Sequence, residues 1–202
     1  MTSSSSSPAS TPSSSYPSTL LGTYTPTPLL KVHYGPSSLP THLIPSIRFL
    51  LAKRQGIKEE DVKAKVMIVT GRSLKEKTPV IKDVERMLRK EGMWGLTFSD
   101  IAQHARESKP FHPTTTTSLI KPAWKLTSGR KPNDPFAAIK DIQVAKQLAL
   151  DNEIDLLLSI GGGSPIDSTK AISHFVREAT GSEGFLPHIA VPTTLSVAET
   201  TQ

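Results

Sequence analysis

From Asp155 to Lys170 the chain reads DLLLSIGGGSPIDSTK, an apolar run that ends in three glycines and a serine. Such a run suits a strand buried on both faces of a parallel sheet. Gly161, Gly162 and Gly163 carry no Cβ, so the backbone can take φ > 0 and bring its N–H groups against a ligand. Ser164 reads as an N-cap, with Pro165 at the first helical position. A helix starting at the glycines aims its free N–H groups and the positive end of its dipole at whatever lies over the turn, and phosphate is the usual occupant. The bland alternative is a glycine-rich strand-to-helix turn without a ligand.

The motif is neither of the commonest phosphate loops. GxGxxG would need a third glycine at Pro165 or Ile166, and no Gly-Lys-Ser/Thr follows the glycines. A second block, HIAVPTTLSVAE from His188 to Glu199, reads as a strand stopped by Pro192, Thr193 and Thr194. The threonine hydroxyls then stand at the same sheet edge as the glycines, where they either bond a cofactor or cap a turn.

Gly161, Gly162, Gly163, Ser164, Asp167 and Lys170 together resemble the GGGSxxDxxK signature of the iron-containing (group III) alcohol dehydrogenase family. The PTTLSxAE form of the second block is similar to the maleylacetate reductase and fungal branch of that family. The resemblance implies an NAD(P)-dependent oxidoreductase in which a divalent metal, iron or zinc, polarises an alcohol or carbonyl oxygen. It implies a Rossmann-like, doubly wound, mostly parallel α/β domain equivalent to the family's N-terminal cofactor domain. The family's metal ligands, an aspartate and three histidines, belong to a helical C-terminal domain and are expected beyond Gln202. Cofactor residues alone carry over: Gly161, Gly162, Gly163, Ser164, Asp167, Thr193 and Thr194. No catalytic or metal residue is assigned, and the chain by itself is expected to be inactive.

Relatives often place an acid after an earlier strand to hold the adenosine ribose 2′-hydroxyl. Here Lys65–Thr70 is that strand, and Gly71 stands where the acid aligns, with Arg72 beside it. The pair removes a charge that repels a 2′-phosphate and adds one that holds it, so NADP is plausible as cofactor; the alternative makes Arg72 an exposed turn residue.

Composition narrows the class. The 202 residues suffice for one α/β domain with a sizeable core, and the absence of cysteine excludes disulfides and thiolate metal sites. No apolar run approaches the ~18 to 20 residues of a membrane span. The net charge of +6 is mostly local, because Arg106–Pro132 carries six basic residues against the single acid Glu107. A basic face for nucleic acid is therefore not indicated. The six histidines, His33, His42, His104, His112, His174 and His188, show no paired spacing.

Residues 1–28, rich in Ser, Thr and Pro, read as a disordered tail, with a transit peptide as the alternative. Residues 29–202 read as the dinucleotide-binding domain, interrupted at 106–135 by an irregular insertion. That insertion is either a binding loop for an acidic partner, anchored by Trp124, or retained intron sequence. In order, the domain has an opening strand at Leu29–Tyr34, a helix from Leu39 to Gly56, the strand Lys65–Thr70 and a helix over Pro79–Gly92. A strand at Trp94–Phe98, a helix over Phe136–Leu150, the glycine strand with its helix, and a strand at His188–Val191 complete it.

Two functional readings stand: the oxidoreductase, with a small alcohol, aldehyde or oxo-acid substrate in a full-length form, and a truncated non-catalytic nucleotide-binding module. A glycerol dehydrogenase or dehydroquinate synthase relative is the alternative family. A homodimer and a cytoplasmic location are compatible with the sequence, with a mitochondrial one left open.

Overall fold

The computed structural model describes residues 22–24, 30–101 and 137–194. The chain divides into two compact units, residues 1–38 and 39–202. In the first, β1 (Gly22–Tyr24) pairs antiparallel with β2 (Val32–Tyr34) in a two-stranded sheet. The tail expected over 1–28 is thus corrected at Gly22–Tyr24, which is a strand; residues 1–21 and 25–29 lie outside the described residues. The opening strand is β2, and its partner is β1 rather than a strand of the larger sheet.

The second unit is an α/β domain around a four-stranded parallel sheet. Its elements are α1 (Ser38–Gln55), β3 (Val66–Thr70), α2 (Arg72–Lys77), α3 (Val80–Lys90), β4 (Trp94–Phe98), α4 (Ala137–Asp151), β5 (Leu156–Gly161), α5 (Gly163–Thr180) and β6 (His188–Pro192). The strand order is β4-β3-β5-β6, every pair parallel.

Continuous apolar runs make the two central strands, because helices cover both of their faces. Every residue of β3 and of β5 is buried. Val66, Ile68, Leu156, Leu158 and Ile160 pack with Leu43, Ile47 and Leu51 of α1 and Ile81, Val84 and Leu88 of α3. Met67, Val69 and Leu157 pack on the opposite side with Ala145 and Ala149 of α4 and Ile172 and Val176 of α5. Each large aliphatic side chain so buried contributes about 1.5–3 kcal/mol.

The helical periods mostly hold. Ile139, an apolar residue of α4, is 54 % exposed. The buried face of α5 admits Ser168, Thr169 and Ser173, because two of these hydroxyls bond back to carbonyls: Thr169 to Pro165 at 2.7 Å and Ser173 to Leu186 at 3.2 Å. The insertion expected at 106–135, with His104 and His112, lies outside the described residues.

Topology sets where a ligand is received. From β3 the chain moves through α2 and α3 to β4 on one side, then returns through α4 to β5 on the other side of β3. The strand order therefore reverses between β3 and β5. In open α/β sheets the crevice at the carboxyl ends of two such strands is the general ligand site.

Candidate functional site at the carboxyl edge of the sheet

The two strands flanking the crevice end in Gly71 and in Gly161–Gly163. At the crevice floor Thr70 is fully buried, and its Oγ1 donates to the carbonyl of its register partner Ile160 at 2.8 Å. This fastens β3 to β5 where the strand order reverses.

Gly161 has φ +152, a conformation that disfavours any side chain, and a Cβ there would stand 2.8 Å from Pro165 Cγ. Gly162 is the N-cap of α5, with φ −83 and ψ −160, and no side chain caps that helix end. The expected Ser164 N-cap is therefore corrected: the helix begins at Gly163, Ser164 is its second residue and Pro165 its third. The chain turns directly from strand to helix because Gly161 adopts a torsion that serine cannot. Pro165 is still within the first turn, where a missing N–H breaks no intrahelical bond.

The threonines lie against the glycines as expected. The Thr193 N–H donates to the Gly161 carbonyl at 2.8 Å. A Cβ on Gly162 would stand 3.0 Å from Thr194 Oγ1. Thr193 and Thr194 are both exposed, as is Asp167 on α5, while Gly162, Gly163 and Ser164 are half-buried. The arrangement is an open backbone cradle with a hydroxyl-bearing wall and a helix N-terminus of 18 residues behind it. That combination suits a phosphate ester.

Gly71 and Arg72 lie at the end of β3, but not as the expected simple turn. Arg72 opens the six-residue helix α2, which carries one apolar residue, Leu74, and so shows no period in the sequence. Arg72 Nη2 is 2.7 Å from Asp100 Oδ1, and Gly71 forms a backbone bridge with Asp100. The hydrogen bond and charge of Asp100 raise the Arg72 pKa further above its ordinary value. Asp100 escapes a reading of the sequence because it follows β4, 28 positions from Arg72. Only the parallel β3–β4 pairing brings it over.

Among the described residues the histidines do not gather. His188 opens β6 at the opposite edge of the sheet, where its Nε2 lies 2.7 Å from the buried Ser159 Oγ. Burial first, and then the charge of Lys170, push its imidazole down to about 4. His174 is exposed on α5, 3.4 Å from Glu178. Among the described residues no three His, Cys, Asp or Glu side chains could hold a metal ion. No helix among them is long and apolar enough to cross a membrane.

A cavity of about 410 Å³ lies at the amino edge of the sheet, lined by Leu51, Arg54, Glu153, Asp155, Arg177 and Leu186. Its arginines serve the chain before β6: Arg54 donates to the Phe185 carbonyl at 2.9 Å and Arg177 Nε to the Ser182 carbonyl at 3.4 Å.

Three solved structures illustrate what the chain is similar to. An iron-containing alcohol dehydrogenase from Corynebacterium glutamicum has 22 % identity over 76 % of this chain and 28 % of its own, with a TM-score of 0.41. A maleylacetate reductase from Agrobacterium tumefaciens has 16 % identity over 77 % and 30 %, TM-score 0.41. A sulfoacetaldehyde reductase from Bifidobacterium kashiwanohense, solved in complex with NAD+, has 16 % identity over 75 % and 32 %, TM-score 0.42. The chain spans about a third of the length of these proteins. No curated protein matches it. Residues 120–202, which hold α4, the glycine turn, α5 and β6, match the family model of iron-containing alcohol dehydrogenases.

Proposed function

We propose that this chain is the dinucleotide-binding part of an NAD(P)-dependent oxidoreductase of the iron-containing alcohol dehydrogenase type. The observation that carries the reading is the placement of a glycine cradle at the point where the strand order reverses. Gly161 has a torsion and a contact that oppose a side chain, Gly162 faces Thr194, and the cradle lies within the segment that matches the family model. In this reading the backbone of Gly161–Gly163 and the Ser164 N–H receive the cofactor pyrophosphate, and the α5 dipole favours its charge. Thr193 and Thr194 bond it from the β6 side, Asp167 borders the same edge from α5, and Gly71 and Arg72 face the adenosine end.

A small alcohol, aldehyde or oxo-acid substrate, on the pattern of the maleylacetate reductase branch, is the finer proposal, resting on the PTTLSVAE block. The described residues do not fit the metal of that family, since no cluster of ligating side chains is present among them. We assign them cofactor binding alone, and no step through a metal.

Titration of the chain with NADH, followed by nicotinamide fluorescence, tests the reading. Saturable binding is expected in the parent and a loss of about tenfold or more in Gly162→Val, whose branched side chain fills the cradle. Unchanged affinity in a variant that still unfolds cooperatively would remove the turn as the phosphate site.

A further inference from the structure

Arg72 is the residue whose charge would attract a 2′-phosphate, and the structure gives that charge a partner. Asp100 Oδ1 accepts from Arg72 Nη2 at 2.7 Å. The backbone bridge between Gly71 and Asp100 holds the carboxylate beside the position where the β3 turn lacks an acid of its own. Two further carboxylates, Glu76 and Asp141, act on Arg72 with the same sign as Asp100. The neighbouring Lys75 is turned to Ser99, its Nζ 3.4 Å from Ser99 Oγ. Arg72 thus has a carboxylate as its direct partner.

We propose that Asp100, held across from β4 beside Gly71 and paired with Arg72, is the residue that makes this site choose a dinucleotide with a free 2′-hydroxyl over its 2′-phosphorylated form. A ribose hydroxyl donates to a carboxylate, whereas a phosphate dianion has no proton to donate to it and is repelled. To bind the phosphorylated cofactor, Arg72 must leave Asp100, and the carboxylate must then stand beside two added negative charges. The acid that the turn lacks in sequence is supplied through space by the next strand. This deepens the reading of the glycine turn as a dinucleotide site and rests on it.

The experiment compares NADH and NADPH affinities, by fluorescence titration at fixed ionic strength, for the parent chain, Asp100→Asn, Arg72→Ala and Gly162→Val. Thermal unfolding confirms that each variant is folded. The parent is expected to bind NADH more tightly. Asp100→Asn should move the NADPH/NADH affinity ratio towards NADPH by about tenfold, the scale of a single charge-assisted hydrogen bond between Arg72 and the phosphate. Arg72→Ala, which removes the cation and keeps the carboxylate, should move the ratio the other way. A parent that prefers NADPH, or a ratio unmoved by Asp100→Asn while Gly162→Val still abolishes binding of both cofactors, overturns the role of Asp100 and leaves the glycine-turn reading standing. Binding that survives Gly162→Val, or no binding of either cofactor by the parent, overturns both.

Discussion

Ser159 Oγ and His188 Nε2 lie 2.7 Å apart on neighbouring strands, with the serine fully buried and the imidazole pushed down to about 4. Burial disfavours the imidazolium, and Lys170 adds a like charge. A depressed histidine pKa means that the unfolded chain takes up the proton first, near 6.5, while the folded chain resists until about 4. The stability tied to neutral His188 is therefore fully present above pH 6.5 and is lost as pH falls towards 4. At ~1.4 kcal/mol for each unit of difference, about 3 kcal/mol is at stake. Urea unfolding at pH 7 and pH 4 should show the parent losing about that much more than His188→Gln, which keeps a hydrogen-bonding group for Ser159 but does not titrate. Parallel losses in the two proteins would refute the burial argument.

Gly161 and Gly162 should answer mutation differently. At Gly161, φ +152 and the 2.8 Å approach to Pro165 Cγ both oppose a Cβ, so Gly161→Ala should cost about 1–3 kcal/mol of stability. At Gly162, φ −83 suits any residue and the nearest atom to a Cβ is the rotatable Thr194 hydroxyl at 3.0 Å, so stability should change little while ligand binding is lost. Replacing Pro165 by Ala in the Gly161→Ala background should recover the steric share of the cost. Equal melting temperatures for the two single variants would contradict this division.

The segment 106–135 should be dispensable for folding. Its sequence has neither a helical nor a strand period and few apolar residues, whereas the core clusters of the described residues draw on α1, β3, α3 and β4 before it and on α4, β5 and α5 after it. A chain joining Ala105 to Phe136 through a short Gly/Ser linker should keep one cooperative unfolding transition and its urea midpoint. Loss of cooperativity would mean that the segment contributes to the core.

What the sequence shows plainly is whatever depends on neighbours along the chain. The apolar runs at Val66–Thr70 and Leu156–Gly161 announce doubly covered parallel strands, and the period of Val80–Lys90 announces its helix. The glycine turn and the threonines opposite it are equally legible, and the structure brings them together. The start of α5 is misleading in sequence because serine before proline imitates a cap, whereas the torsion of Gly161 governs the turn. Two features belong to pairing across strands and leave no local mark, the partner of Arg72 and the hydrogen bond beneath His188, and the short α2 is hidden because RSLKEK carries no periodic face.

The hydroxyl of Thr70 reaches a carbonyl 90 residues further along the chain, and the whole β3–β5 ladder shares that separation. The middle of the sheet is thus the pairing that the chain must wait longest to make. The β3–α3–β4 unit can form first from contacts close in sequence, and it then holds one face of a strand pair whose second member arrives after β4 and everything that follows it. Closing such a loop costs entropy only as the logarithm of its length, so shortening it by the 30 residues from 106 to 135 would recover about 0.4 kcal/mol. Pairings this distant in sequence weigh on folding rate more than on stability, because the loop must close before the contacts reward it. The crevice between β3 and β5, where the sheet's most distant pairing in sequence is made, is also where the dinucleotide is proposed to bind.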